Sequence, residues 1–252
     1  MQKRTLSELN LMDDFLFFKM LNHSEFGEEF GRNLLKVIFG REFGNLKIIP
    51  QKVYYGSNTN QHGARLDVYM EETFDGDTLL ENVTLYDVEP ELKNTAENIA
   101  SIPKRVRFYH SLIDASSLKA GVDYNGLKKV VVIMITPFDP FGCNRMIYTF
   151  KKSCEEVPEL PYDDGAETIF LYTKGEEGNA SKSLRELLAY MEDTSWENAK
   201  SDELKKIHGM VEVLKHEKET VIEHMKIFER ERMLREEENR ILREKLSRLQ
   251  QN

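Results

Sequence analysis

From about Leu9 to Phe39 apolar residues recur at helical spacing, first as Phe15, Phe18, Met20 and Leu21, then as Phe30, Leu34, Leu35 and Ile38, with Gly40 placed to stop the run. The polar stretch from Asn22 to Gly27 divides this into two helices. Three β-rich runs follow, Lys47 to Tyr55, Ala64 to Met70 and Thr84 to Val88. Asp75, Gly76 and Asp77 supply turn chemistry between the second and third, so the runs predict a small antiparallel meander. A helical segment over about Asn94 to Ala115 sets Arg and Lys against Ile99, Ile102, Val106, Tyr109 and Ile113, and Pro103 inside it predicts a break or a helix start. Lys129 to Thr136, KVVVIMIT, is a continuous β-branched run of the kind buried on both faces, and so the expected centre of a sheet. Met146 to Phe150 and Thr168 to Tyr172 add two strands. Helices, meander, helix and central strands in this order describe an α/β fold with a mixed sheet.

After Gly175 the pattern changes. Residues 181 to 192 form an amphipathic helix with Leu184, Leu187, Leu188 and Met191 on its apolar side, which predicts packing back on the domain. From Met210 to the end there is neither Gly nor Pro, and Glu, Lys and Arg dominate. A heptad frame starting at Val211 puts Leu214, Val221, Met225, Phe228, Leu242, Leu246 and Leu249 at a or d positions, while Lys218, Arg232, Arg235 and Asn239 interrupt the seam. Such a segment is either a solvated helix held by i,i+4 charge pairs or one that self-associates. The expected organisation is a domain over 1–178, an amphipathic helix and linker over 179–200, and a charged helical tail over 201–252.

Composition narrows the class of protein. Hydrophobic residues make up 40% of the 252 and charged residues 31%, with a mean hydropathy of -0.53. No run approaches the roughly 20 apolar residues that span a bilayer. The acids interrupting MQKRTLSELNLMDDFLFF argue against a signal peptide, so a cytoplasmic location is expected. Cys143 and Cys154 lack metal-motif spacing and read as reduced thiols. The net charge of -9 opposes non-specific attraction to nucleic acid, so any such binding must rest on a local basic patch and on divalent ions.

The chemistry-bearing cluster is acidic. Asp67 in ARLDVY and Glu89 in YDVEPEL lie in or at the end of predicted strands that could pair, and Glu91 shares the face of Glu89 if the strand persists through Pro90. Carboxylates converging at one end of a sheet, with the Pro90 carbonyl, make an oxygen-ligand site suited to Mg²⁺ or Mn²⁺, ions commonly shared with substrate phosphates. The chemistry that follows is phosphodiester hydrolysis. On the helix beyond, Arg105 and Arg107 present planar forks of donors suited to phosphates, or simply a solvated helix face. Asp13 and Asp14 suit the start of a helix. His62, in a polar loop, reads as exposed. The chain contains no GxxxxGK[ST] loop and no CxxC motif.

At these residues the chain resembles the PD-(D/E)XK nuclease family transposases, also called recombination-promoting nucleases. The likeness runs over roughly residues 8 to 175, through DDFLFFKML, GARLDVY, YDVEPE, PKRVRFYHSLID, ITPFDPFGCNRMIYTF and DDGAETIFLYTKG in that order. It implies a restriction-endonuclease-like core, divalent-metal-dependent DNA cleavage tied to recombination or mobile elements, and Asp67 and Glu89 as the metal-binding acids. It also departs from the family. Relatives of this kind read Glu-x-Gln and the wider superfamily Glu-x-Lys, whereas here the triplet is Glu89-Pro90-Glu91. Ionised Glu91 supplies neither a cation nor a donor, and its open roles are third metal ligand or base for the attacking water. Lys93, two residues on along the same face, is a substitute cation if the strand reaches it. The resemblance places the Arg105 helix beside the site, for phosphate binding or charge balance. Two functions follow: a Mg²⁺-dependent DNA endonuclease, or a catalytically impaired nuclease-fold protein that binds DNA or regulates as an oligomer. A homodimer through the tail would set two sites against two DNA strands.

Overall fold

A computed structural model of the chain describes residues 4–54, 64–73, 83–118 and 121–250. Its centre is a six-stranded mixed sheet formed by β1 (Asn45–Tyr54), β2 (Ala64–Thr73), β3 (Thr84–Pro90), β4 (Lys129–Thr136), β5 (Ile147–Phe150) and β6 (Ala166–Tyr172), in the order β1-β2-β3-β4-β6-β5. The first three strands are the antiparallel meander read from the sequence. β3, β4 and β6 then run parallel, and β5 closes the far edge antiparallel to β6. In β4 every residue after Lys129 is buried, as a β-branched strand covered on both faces requires.

The helices are α1 (Asp14–Leu21), α2 (Gly27–Phe39), α3 (Ala96–Ser117), α4 (Lys182–Glu192), α5 (Asp202–His216) and α6 (Lys218–Gln250). Local chemistry fixes their ends. Thr95, Ser181 and Ser201 each accept a backbone N–H of the first turn, from Asn98, Leu184 and Leu204. Gly40, at φ 65°, ends α2 in the left-handed conformation that glycine adopts without a Cβ penalty. At Gly27 a Cβ would run into the Leu21 carbonyl, so only glycine lets α2 start this close to the end of α1.

The two faces of the sheet are covered unequally. On one, α1, α2, α4 and α5 bury Phe17, Phe30, Leu34, Leu188, Tyr190 and Ile207 against Tyr86, Val88, Val131 and Ile133. On the other, α3 alone lays Ile102, Val106 and Ile113 over Leu85, Val130, Val132 and Met134. α3 runs unbroken through Pro103, contrary to the expected break. A mid-helix proline costs roughly 3 kcal/mol, and burial of Ile102 and Val106 on either side of it is of a size to offset that.

The C-terminal part also differs from the heptad reading. α5 buries Leu204, Ile207, Val211 and Leu214 in the larger core cluster, so Val211 and Leu214 face the domain and not a partner helix. Glu217, extended at φ -68° and ψ 125°, breaks the helix before α6 begins and interrupts the frame. The start of α6 is tied back by an ion pair between Lys19 and Glu223 and by the rings of Phe15 and His224, 5.1 Å apart. From Met225 onward each α6 side chain that is described is exposed. The heptad residues Phe228, Leu242, Leu246 and Leu249 have side chains outside the described ones. Among the described residues no helix is long and apolar enough to cross a membrane.

Candidate active site

The side-chain alternation of β3 puts Leu85, Asp87 and Glu89 toward α3, and Tyr86 and Val88 toward the larger core. Asp87 is fully buried and Glu89 is 6% exposed, each beside an apolar residue of β4, Val132 and Met134. Glu91 continues the series. Its backbone N–H donates to the Ile135 carbonyl at 2.8 Å, so β pairing extends through Pro90, the last residue of β3, opposite Ile135. Acids at 87, 89 and 91 therefore follow one line along the face beneath α3, toward the C-terminal ends of the parallel strands, where open α/β sheets commonly bind ligands.

Glu91 has two partners. Its Oε1 accepts the Lys93 N–H at 2.7 Å, which turns the chain away from the sheet. Lys93 is consequently exposed in the link to α3, and the strand-face placement expected for it does not occur, because the strand ends before reaching it. The other Glu91 oxygen is held by the Arg105 guanidinium, in an ion pair with both side chains largely removed from water. Burial works against the charge on Arg105, but the Glu91 hydrogen bond and the nearby Tyr109, Glu91 and Glu89 groups outweigh it and raise its pKa. Arg105 Nε is buried and lacks a partner, so the guanidinium retains a donor for a further anionic oxygen.

Asp67 lies in β2, and its side chain is outside the described residues, as are all of His62 and the turn at Asp75, Gly76 and Asp77. The backbone register is informative nonetheless. β2 and β3 pair Tyr69 with Asp87 antiparallel, and the next same-side positions along the two strands are Asp67 and Glu89. Arg107 and Lys104 are exposed on α3, and neither forms an ion pair among the described residues. Asp13 and Asp14 stand at the start of α1 as expected, but the buried Asp13 carboxylate pairs with Arg4 and the Asn10 N–H and caps no first-turn N–H.

Further along the same face, His110 of α3 meets Thr168 of β6, with 3.0 Å between Nε2 and Oγ1, and its Nδ1 is buried without a partner. Burial lowers the His110 pKa, Lys152 lowers it further and Asp164 opposes them. Burial likewise raises the Asp114 carboxyl, one helical turn away.

The donor set suits a hard divalent cation, since buried carboxylate oxygens on one face are what Mg²⁺ and Mn²⁺ take. Among the described residues no three His, Cys, Asp or Glu side chains form a metal-ligand group; the side chain of Asp67 is not among those described. Asp87 and the Arg105–Glu91 pair were not singled out from the sequence. The period-two acids of YDVEPE carried the signal for Asp87. Arg105 and Glu91 lie 14 positions apart; the resemblance placed the Arg105 helix beside the site, and the packing of α3 on β3 adds the specific pairing with Glu91. Comparison with protein-family models, curated proteins and solved structures finds no match for the chain.

Proposed function

We propose that the chain is a divalent-metal-dependent DNA endonuclease on a restriction-endonuclease-like core. The observation that carries this reading is the pair of buried acids, Asp87 and Glu89, under α3 beside an arginine. Two acids side by side on one strand face, near a guanidinium and toward the C-terminal ends of the parallel strands, favour a functional role. Glu89, Asp67 and the Pro90 carbonyl are the proposed Mg²⁺ or Mn²⁺ ligands, with Asp87 next to them as a further carboxylate. A bound Mg²⁺ supplies Lewis acidity toward a phosphoryl oxygen and a more acidic water.

The rest falls to the side chains. Arg105, anchored by Glu91, provides the cation that the motif otherwise takes from lysine, and the partly exposed end of its guanidinium is the proposed phosphate contact. This replaces the roles considered for Lys93. Glu91 then acts as the anchor of Arg105 and, through its remaining lone pairs, as an acceptor for the attacking water. Arg107 holds the DNA backbone outside the site.

One observation favours the second reading. With Glu91 already neutralised by Arg105, the third acid of the motif is occupied, and a protein that keeps the fold while binding DNA as a regulatory oligomer fits that arrangement too. In either reading the exposed part of α6, with Met225 at an a position on its surface, is the proposed coiled-coil contact of a homodimer. Nicking of supercoiled plasmid separates the two. The nuclease reading expects Mg²⁺- or Mn²⁺-dependent nicking that EDTA, Asp67→Ala and Glu89→Ala each abolish; a folded wild type that never nicks moves the assignment to the regulatory one.

A further inference from the structure

In the register row of Glu89, the next residues across the sheet are Met134 of β4, Phe170 of β6 and Tyr148 of β5. At about 4.8 Å per strand, the Phe170 backbone lies about 10 Å from that of Glu89. Here the α3 face is not sealed. A pocket of about 220 Å³ is walled by Pro103 and Val106 of α3, Phe141 of the β4–β5 connection, and Phe150, Thr168 and Phe170 of the sheet. The Phe141 ring centroid is 4.9 Å from those of both Phe150 and Phe170, tilted at 52° to the first and 88° to the second. Phe170 is buried as the floor, whereas Phe150 is 46% exposed at the mouth.

The rings pack on one another at favourable tilted and edge-to-face angles, which leaves the half-exposed Phe150 ring at the mouth able to take a flat partner. The wall is not wholly apolar. Thr168 adds a hydroxyl to it, paired at 3.0 Å with His110 Nε2 behind the wall, so one polar edge faces the cleft. Arg107 sits one helical turn beyond Pro103, exposed, on the side where a phosphodiester chain would pass. Flat aromatic surface, one polar edge and a neighbouring cation are the components that receive a nucleobase and its phosphate.

We propose that this pocket takes one unpaired base of a DNA strand, stacked on Phe150, while the backbone runs past Arg107 toward Glu89. The class of ligand rests on the nuclease reading, although the pocket can be tested without cleavage. Stacking requires a base but no particular sequence, so the test compares a fluorescent oligomer of thymidines with one of abasic units of equal length and charge, by anisotropy in EDTA. Wild type should prefer the thymidine oligomer by about tenfold. Phe150→Ala should bind both alike, and Phe150→Trp should keep the preference. Because Phe150 is half exposed, its variants should melt close to wild type, which circular dichroism checks. Equal binding of the two oligomers by wild type, no binding of either, or a preference that survives in Phe150→Ala overturns the pocket. Plasmid nicking reads the nuclease assignment separately: nicking without base preference removes the pocket alone, and base preference without nicking removes the nuclease alone.

Discussion

The two faces of the sheet are built to different ends. Under α1, α2, α4 and α5 the layer is apolar, and its main charged intrusion is fully partnered: Glu72 is held by both Arg41 terminal nitrogens at 2.7 Å and by the Tyr86 hydroxyl at 2.9 Å, with Arg41 stacked 3.8 Å over Phe43. Under α3 the sheet carries acids at successive inward positions, one guanidinium that retains a donor, a histidine with a buried bare nitrogen, and an open aromatic pocket. The first face pairs its buried Glu72 internally and, among the described residues, leaves bare only the amide atoms Asn22 Oδ1 and Asn33 Nδ2. The second retains buried polar capacity, which is where ligands act.

If the first face is the stabilising one, truncation there should cost most. Leu34→Ala, at a fully buried site, should lower unfolding free energy by about 2–5 kcal/mol in urea titrations. Nicking by whatever fraction stays folded should be unchanged. A smaller loss than that of Ile113→Ala on the α3 side would reverse the assignment of roles to the faces.

The Arg105 claim is sharper. Arg105→Ala should reduce nicking by roughly ten- to a hundredfold, the scale seen when a group supporting a metal or phosphate site is lost. Adding Glu91→Lys should recover part of it by restoring a cation at the motif position. Unchanged nicking by Arg105→Ala would leave the guanidinium a merely structural counter-ion of Glu91.

The smallest effect concerns His110. Its pKa is lowered from 6.5 by burial, with Lys152 adding to the shift and Asp164 opposing it, and the half-buried Asp114 lies one helical turn away. The unfolded chain therefore binds the proton more readily, and stability contributed by the neutral ring is complete above about pH 6.5 and declines as pH falls toward the lower folded pKa. Between pH 7.5 and 5.5 wild type should lose more melting temperature than His110→Gln; equal losses would mean that the ring is not desolvated.

Periodicity made much of this legible. β4 stood out because a strand covered on both faces needs an unbroken apolar run, and α4 because its leucines recur at helical spacing. Pro103 misled because packing of Ile102 and Val106 overrides a local penalty that sequence alone shows undiluted. The heptad frame misled for a related reason: Val211 and Leu214 fit a coiled-coil seam and a core-facing stripe equally well, and only the extended Glu217 separates the two. Strand parity placed Glu89 and Glu91 on one face, as the structure has them. Lys93 was misplaced by carrying that parity past the strand end, where the Glu91 side chain caps the turn.

The central claim is that the acids beneath α3 bind a divalent cation, and Mn²⁺ titration calorimetry of the full chain tests it most directly. Wild type should bind Mn²⁺ with a heat signal that Mg²⁺ competes away, and Glu89→Gln, which keeps the shape and removes the charge, should lose it while unfolding at the wild-type temperature or above. Mn²⁺ binding that is absent from folded wild type, or identical in Glu89→Gln, would contradict the account.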